Sequence, residues 1–369
     1  MESTTSISSE LENNINNEFI TKDFVKICKN YKYIPSVIPA VRRIIVLGDI
    51  HGDLNLAIKL LEIGKIINKT NNIDNIKWIG GDTYVVQVGD QIDRCRPNSI
   101  GNLLCSNSMA TINDEASDIK ILKLFTDLDN QAIKEGGRVI SLLGNHEIMN
   151  VEGIMNYVSY QGLKEFENYT DENNKKFKSG QEARRYAFSP GKPIGKLLGC
   201  SRLSAIIIGS NLFVHAGMLD ILLEKLDIQK PEDLESINIL VKKWLLGLIN
   251  KEYVKYIISG DKNSMFWTRI LGTIPPYISN EDSQCINHIN KALNIFNIDR
   301  IIIGHTPQSF TYSQGINSTC GDKIWRVDNG SSSAFHGYDR IYLESGKVNN
   351  NRIPQVLEIL DDNKFNILY

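Results

Sequence analysis

Five short motifs of metal-binding and acid–base residue types recur along this 369-residue chain, each directly after an apolar run. In order they are Gly48-Asp49-Ile50-His51-Gly52-Asp53, Gly89-Asp90-Gln91-Ile92-Asp93-Arg94, Gly144-Asn145-His146-Glu147, His215-Ala216-Gly217 and Gly304-His305. Taken singly, four of them have ordinary alternatives, which are a solvated turn, a surface ion pair or a core histidine, and only the GNHE motif is a sharper signal. Together they hold four of the six histidines, with several carboxylates and an Asn. Mixed oxygen and nitrogen ligands of this kind suit a pair of divalent cations, which can clamp a phosphate-type transition state from both sides.

The apolar runs before these motifs are predicted to be strands buried on both faces. They occupy residues 43–47, 84–88, 139–143, 212–214 and 301–303. Helical spacing of apolar residues predicts helices over about 53–67, 114–135 and 282–296. Alternation of strands and helices indicates an α/β fold, in which the loops at the carboxyl ends of the strands gather into one crevice. Residues 323–369 contain the short strand-like runs IWRVD, RIYLE and PQVLEIL without helices between them, which predicts a second, more antiparallel sheet.

The ordered set GDxHG, GDxxDR, GNHE, HAG and GH resembles the phosphoprotein phosphatase branch of the calcineurin-like metallophosphoesterases, over about residues 43–330. The segments GNHEIMN, SPGKPIG, FWTR, GHTPQ and CGDKIWRVDNGSS are similar to the Shewanella-like protein phosphatases. The resemblance implies a calcineurin-like sandwich of two mixed β-sheets flanked by helices, which makes four layers in the order αββα.

The resemblance also implies a role for each matching residue. Asp49 and His51 are expected to hold a first metal, Asp90 to bridge two metals, and Asn145, His215 and His305 to hold the second. The expected cofactors are two divalent metal ions, manganese first, with iron or zinc as alternatives. A water or hydroxide between the ions is expected to attack phosphorus in line.

The remaining catalytic roles that the resemblance implies belong to side chains around the metals. His146 is expected to protonate the leaving group, oriented by Asp93, and Arg94 to bind the phosphoryl oxygens. Arg269, in FWTR, is a candidate second phosphate clamp, with an ordinary ion pair as the alternative. The family usually has Gly where this chain has Cys95, and a Cβ there bears on the placement of Arg94 because it can strain a tight backbone path.

The six cysteines are scattered and form no CxxC pair. Reduced thiols in a reducing compartment are therefore expected, rather than a disulfide framework or a zinc knuckle. Cys95 is expected to be a packed, inert thiol, and the alternative is an oxidation-prone thiolate beside the cations.

Charge and segment composition set the expected location and organisation. The net charge is −2, which gives no basic field for nucleic acid. The sequence has no signal-like N-terminus and no apolar run long enough to span a membrane, so we expect a cytoplasmic protein without membrane contact. Residues 1–20 are expected to form a disordered arm, and residues 21–369 a catalytic domain. A Tyr-, Lys- and Gly-rich insertion at about 148–204 is expected to shape the pocket rim.

The function that follows is a metal-dependent phosphatase hydrolysing phosphate monoesters. Its substrate is expected to be a phosphoprotein or phosphopeptide carrying phosphoserine, phosphothreonine or phosphotyrosine, which rests on the resemblance. The alternative is a small-molecule phosphoesterase such as a dinucleoside polyphosphate hydrolase, which the same metal centre could support. A catalytically dead binding module is disfavoured, because every expected ligand and the expected acid are present.

Overall fold

The computed structural model describes residues 16–70 and 72–369. Most of the predicted N-terminal arm, residues 1–15, lies outside the described residues. Its last residues differ from the prediction, because Phe19 is buried and packs with Phe24 and Cys28. The packed domain therefore begins before residue 21, because burial of the Phe19 side chain removes apolar surface from water.

Two six-stranded mixed sheets form the centre of the described chain. The strands are β1 Val37–Ile38, β2 Arg43–Leu47, β3 Tyr84–Gln87, β4 Arg138–Leu142, β5 Arg202–Leu203, β6 Ala205–Ile208, β7 Asn211–Val214, β8 Arg300–Ile303, β9 Asn317–Thr319, β10 Ile324–Arg326, β11 Val356–Leu360 and β12 Lys364–Leu368. One sheet has the order β12-β11-β2-β3-β4-β5, and the strands from β2 to β5 are parallel. The other has the order β1-β6-β7-β8-β10-β9, in which β7, β8 and β10 are parallel.

Helices connect the strands and cover the outer faces of both sheets. The α-helices are α1 Val25–Ile27, α2 Leu54–Ile63, α3 Asp118–Ala132, α4 Asn145–Val151, α5 Tyr160–Lys164, α6 Gly180–Phe188, α7 Pro193–Ser201, α8 Asp220–Lys225, α9 Asp233–Leu245, α10 Ile270–Thr273, α11 Ser283–Phe296, α12 Gln308–Thr311 and α13 Arg340–Ser345. A π-helix spans Phe19–Phe24, and 3-10 helices span Ile73–Asn75, Ile133–Glu135, Lys251–Tyr253, Ser333–Tyr338 and Asn350–Arg352. None of the helices in the described chain is long and apolar enough to cross a membrane.

The alternation of side chains along β2 explains the layering. Ile44 and Val46 pack between the two sheets, while Ile45 and Leu47 face the helix layer formed by α2 and α3. Because successive strand residues point to opposite faces, a strand of continuous apolar residues can be buried on both sides. This confirms the predicted four-layer sandwich of two mixed sheets between helices.

The C-terminal region departs from the prediction. Residues 340–345, which contain the run RIYLE, form α13 and not a strand. Asp339 caps this helix by accepting a hydrogen bond from the Tyr342 amide, and Gly346 ends it with φ +69°. A capped start and a left-handed glycine stop favour a helix over the strand that the β-branched residues suggested. The other two runs are strands, but they join different sheets.

The expectation of reduced thiols is wrong for the structure, which contains three disulfides. They join Cys28 to Cys200, Cys95 to Cys105, and Cys285 to Cys320. The paired cysteines are 172, 10 and 35 residues apart in the sequence, so no common spacing predicts the three disulfides. Cys95 is thus neither a free thiol nor a thiolate. Its φ is not positive, so the backbone after Arg94 accommodates a Cβ.

Candidate binuclear metal centre

All five motifs meet at the carboxyl ends of parallel strands. Asp49 and His51 follow β2, Asp90 and Asp93 follow β3, and Asn145 and His146 follow β4 in the first sheet. His215 follows β7 and His305 follows β8 in the second sheet. Because neighbouring parallel strands end at the same edge, both sheets deliver their loops to one point.

Asp90 lies at the centre of the cluster and belongs to two potential ligand groups. His51, Asp90 and His146 offer atoms within 4.8 Å of one another, and so do Asp90, His215 and His305. On the first side, His51 Nε2 lies 3.7 Å from Asp49 Oδ2 and 3.9 Å from Asp90 Oδ2. On the second side, His215 Nε2 lies 3.4 Å from Asp90 Oδ2.

Hydrogen bonds to the backbone set which nitrogens His215 and His305 present to the cluster. His215 Nδ1 lies 2.8 Å from the Val88 carbonyl, and His305 Nε2 lies 3.2 Å from the Trp267 carbonyl. Each of these nitrogens must carry a proton to make that bond, so in the neutral ring the other nitrogen has the lone pair. Those two nitrogens are 3.2 Å apart, and His215 Nε2 is also 3.0 Å from Asn145 Oδ1. Lone pairs that converge in this way fit a cation.

The electrostatics of the cluster also fit bound cations. Asp49, Asp90 and Asp328 are almost fully buried near one another. Burial and the charges of Asp328 and Asp90 raise the pKa of Asp49 well above its ordinary value. Burial works against ionisation of Asp90, but His215 and His146 outweigh it and hold the pKa of this carboxyl well below its usual range. Divalent cations would offset this concentration of buried negative charge.

Two of the three histidines expected to bind metal, His51 and His305, are held in the neutral form that does so. Burial lowers the pKa of His51 and of His305 well below the ordinary value, which keeps both imidazoles neutral. Burial alone would lower the pKa of His215, but Asp90 raises it, so this position favours a positive charge. Oxygen ligands from Asp and Asn with neutral imidazoles suit Mn, Fe or Zn. The six residues expected to hold metals are therefore together and chemically fit for two ions.

Four residues of the cluster have left-handed backbone conformations. The φ angles are +51° at His51, +53° at Asp90, +74° at Asp93 and +65° at His305. Non-glycine residues rarely adopt this region, and each costs about 1–3 kcal/mol. Such strain persists where surrounding structure fixes it, and it gathers at functional sites.

His146 and Asp93 form a buried acid–base pair. His146 Nδ1 lies 2.8 Å from Asp93 Oδ2, and His146 Nε2 lies 3.8 Å from Asp90 Oδ2. Asn150 Nδ2 donates to both Asp93 oxygens at 3.0 Å, and Arg184 Nη2 donates to Asp93 Oδ1 at 3.4 Å. These bonds fix the carboxylate, which in turn directs His146 Nε2 toward the ligand cluster.

Glu147, the last residue of the GNHE motif, holds two motif loops together. Its carboxylate accepts hydrogen bonds from the amides of Asp90 at 3.0 Å, Gln91 at 2.9 Å and Gly144 at 2.7 Å. Burial and the nearby charge of Asp90 raise the pKa of Glu147 to about 7. Sequence reasoning gave Glu147 no role, and its signal was only its place in the motif.

A cavity of about 490 Å³ opens over the cluster. It is lined by the ligands His51, Asp90, Asn145 and His305, by His146, by Arg96 and Arg269, by Pro307, and by the aromatic residues Tyr157, Trp267, Phe310, Phe335 and Tyr338. Arg269 is exposed at the rim and donates to the His305 carbonyl at 3.2 Å. Arg269 therefore lines the same cavity as the ligand cluster, and its role as a phosphate clamp stays a prediction.

Arg94 does not lie with the other predicted residues. Its Nη1 is 3.2 Å from Asp53 Oδ2, and it lines a separate cavity of about 580 Å³. Asp53 is a buried carboxylate at the start of α2, so a buried cation beside it is needed. Sequence reasoning also missed Asp328 and Arg96. Asp328 follows β10, with the post-strand placement that identified the other motifs, and Arg96 is the second arginine of the DRCR run.

Comparison with known proteins gives a consistent result. Residues 42–309 match the model of the family described as calcineurin-like phosphoesterase. Uncharacterized protein R398 of Acanthamoeba polyphaga mimivirus is 41% identical over 66% of this chain and 97% of its own length. Shewanella-like protein phosphatase 2 of Arabidopsis thaliana is 28% identical over 88% of this chain and 77% of its own length. The cold-active protein-tyrosine phosphatase of a psychrophilic Shewanella sp. shares the fold, with a TM-score of 0.59 and 21% identity over 93% of this chain and 84% of that one.

Proposed function

Because the chain belongs to the calcineurin-like phosphoesterase family and is therefore a metal-dependent phosphoric-ester hydrolase, we propose that it dephosphorylates phosphoproteins on Ser, Thr or Tyr residues. The main support for this chemistry is the position of Asp90. Its carboxylate belongs to both groups of potential metal-binding residues and lies beside the His146–Asp93 pair. This arrangement supports a site for two cations with a proton donor, His146, next to it.

Each residue of the site has a separate proposed role in ester hydrolysis. Asp49, His51 and Asp90 would hold one cation, and Asp90, Asn145, His215 and His305 the other, with manganese as the proposed metal. Two divalent cations held there would supply Lewis-acid charge, which would lower the pKa of a water toward neutrality and offset charge on the phosphoryl group. His146 Nε2 would give its proton to the leaving oxygen, and Asp93, which accepts a hydrogen bond from Nδ1–H, orients the ring for that transfer.

Two observations support a protein substrate: the names of the relatives and the aromatic wall of the cavity. The Arabidopsis and Plasmodium berghei relatives are named Shewanella-like protein phosphatases, and the related fold is that of a protein-tyrosine phosphatase. Five aromatic residues in the cavity wall suit a phenyl ring beside the phosphate, which favours phosphotyrosine. The second candidate is a small-molecule phosphoesterase, and turnover of a dinucleoside polyphosphate would favour it.

The test is turnover of p-nitrophenyl phosphate by metal-stripped protein with and without Mn²⁺, beside phosphotyrosine and phosphoserine peptides and a dinucleoside polyphosphate. We expect Mn²⁺ to restore activity and the phosphotyrosine peptide to be preferred. Asp90→Asn is the matched inactive control. Absence of activity with Mn²⁺, Fe²⁺ or Zn²⁺ in folded protein would refute the proposal, and faster turnover of the dinucleotide would replace the protein substrate.

A further inference from the structure

The loop after β3 sends neighbouring side chains in different directions. Asp93 faces His146, Arg94 faces Asp53, and Arg96 faces the cavity over the ligand cluster. Two arginines two residues apart therefore reach different cavities. A phosphate bound at the cluster can meet only the one that lines its own cavity.

The charge of Arg94 is already paired with two carboxylates, although its Nε and Nη1 form no hydrogen bond in the described residues. Its Nη1 lies 3.2 Å from Asp53 Oδ2 and 3.8 Å from Glu115 Oε1. Its Nη2 lies 3.4 Å from the Asn113 carbonyl. Only about 3% of the residue is exposed. Moving this side chain to the metal cluster would leave the buried Asp53 carboxylate without its cation, which is costly.

The charge of Arg96 is not matched in the same way. The residue is 7% exposed, yet it forms no ion pair with any carboxylate in the part of the chain that the structure describes. Within the same residues its hydrogen bonds all leave from Nη1, to the carbonyls of Asp93 at 3.1 Å and Cys95 at 2.9 Å. Asp90, Asp93 and Asp328 act on the charge of Arg96 only from beyond ion-pair distance. Nε and Nη2 therefore remain to donate to a phosphate.

The surroundings hold the Arg96 guanidinium in place. Its Cζ lies 4.6 Å from the centre of the Phe335 ring and 5.8 Å from that of Tyr157. The backbone before it is tied at Cys95, whose amide donates to the Tyr157 carbonyl at 3.1 Å and whose sulfur is bonded to Cys105. A planar group fixed by ring contacts and a tethered loop is ordered before a ligand arrives.

We propose that Arg96, and not Arg94, binds the phosphoryl oxygens of the substrate, with Arg269 facing it from the rim. This rests on the proposed function and changes which residue of the GDxxDR region contacts substrate. Arg94 instead stabilises the loop through Asp53. The free Nε and Nη2 of Arg96 form the two-donor fork that binds two oxygens of one phosphate.

The test compares Arg96→Lys and Arg96→Gln with the matched pair Arg94→Lys and Arg94→Gln, all loaded with Mn²⁺. Calorimetric titration with inorganic phosphate measures binding without turnover, and p-nitrophenyl phosphate gives kcat and KM separately. Metal content and the Tm are measured for each variant. We expect Arg96→Gln to bind phosphate at least about tenfold more weakly and to lose roughly 10²-fold in kcat/KM, with two metals retained. Arg96→Lys should recover only part of the phosphate affinity and kcat/KM that Arg96→Gln loses, because one ammonium group cannot form the two-donor fork.

The Arg94 variants should show the opposite pattern, with a lower Tm and phosphate affinity near that of the wild type. Wild-type phosphate affinity and kcat/KM in Arg96→Gln would overturn the proposal, as would an equal loss of phosphate affinity in Arg94→Lys with its Tm unchanged. If Arg94→Gln does not fold, Arg94→Lys decides, because it retains the charge beside Asp53. An inactive wild-type protein that still binds phosphate through Arg96 would count against the proposed function alone.

Discussion

Replacing His146 with Asn should separate proton donation from every other part of the site. In the wild type, His146 Nδ1 lies 2.8 Å from Asp93 Oδ2. An Asn side chain can place its Nδ2 donor near the same point, so the buried Asp93 keeps a partner. The substitution removes Nε2, the nitrogen that lies 3.8 Å from Asp90 Oδ2 and faces the cluster. The metal ligands are not changed.

The expected loss depends on the leaving group. A placed general acid contributes about 10²–10⁴ in rate, or roughly 3–5 kcal/mol of barrier. The loss should approach that range for an alkyl phosphate and for phenyl phosphate, whose phenol has a pKa of about 10. It should be much smaller for p-nitrophenyl phosphate, because its phenolate leaves without protonation. The structural cost is limited to edge contacts with the rings of Tyr157 and His51, about 0.5–1.5 kcal/mol each.

The assay is kcat/KM for a series of aryl phosphates of rising leaving-group pKa, for wild type and His146→Asn. The wild-type rates should vary little along the series and those of the variant should fall steeply. Metal content by mass spectrometry and the Tm serve as controls. An equal loss for every substrate, with two metals bound and an unchanged Tm, would refute proton donation by His146 and assign it an electrostatic role.

Two further predictions concern the metals and the thiols. Asp90→Asn should bind fewer than two metals per chain and lose activity, because the amide lacks the charge and one oxygen of the shared carboxylate. Two metals bound at wild-type affinity would contradict the bridging role. Thiol titration of the denatured, unreduced protein should find no free thiol, and the Tm should fall on reduction because closing even short loops stabilises the fold by about 2–4 kcal/mol. Six free thiols in folded protein would instead support the reduced state expected from the sequence.

The positions of the expected metal ligands could be predicted from the sequence because each of them is encoded locally. A run such as residues 43–47 predicts a buried strand, and the polar residues after it must lie at the carboxyl end of that strand. Once alternation predicts parallel strands, Asp49, Asp90 and Asn145 have to be neighbours. The structure brings together all six predicted ligands, with His146, Asp93 and Arg269.

Tertiary structure alone decided the features that depend on distant partners. Arg94 and Arg96 look equivalent in the run DRCR, and only the buried Asp53 carboxylate, brought in from another loop, draws one of them away from the cavity. The three disulfides join cysteines up to 172 residues apart, so no spacing predicts them. Arg184 reaches Asp93 from the region predicted to be an insertion. A sequence records which side chains follow a strand, but burial and pairing between loops exist only after the chain has folded.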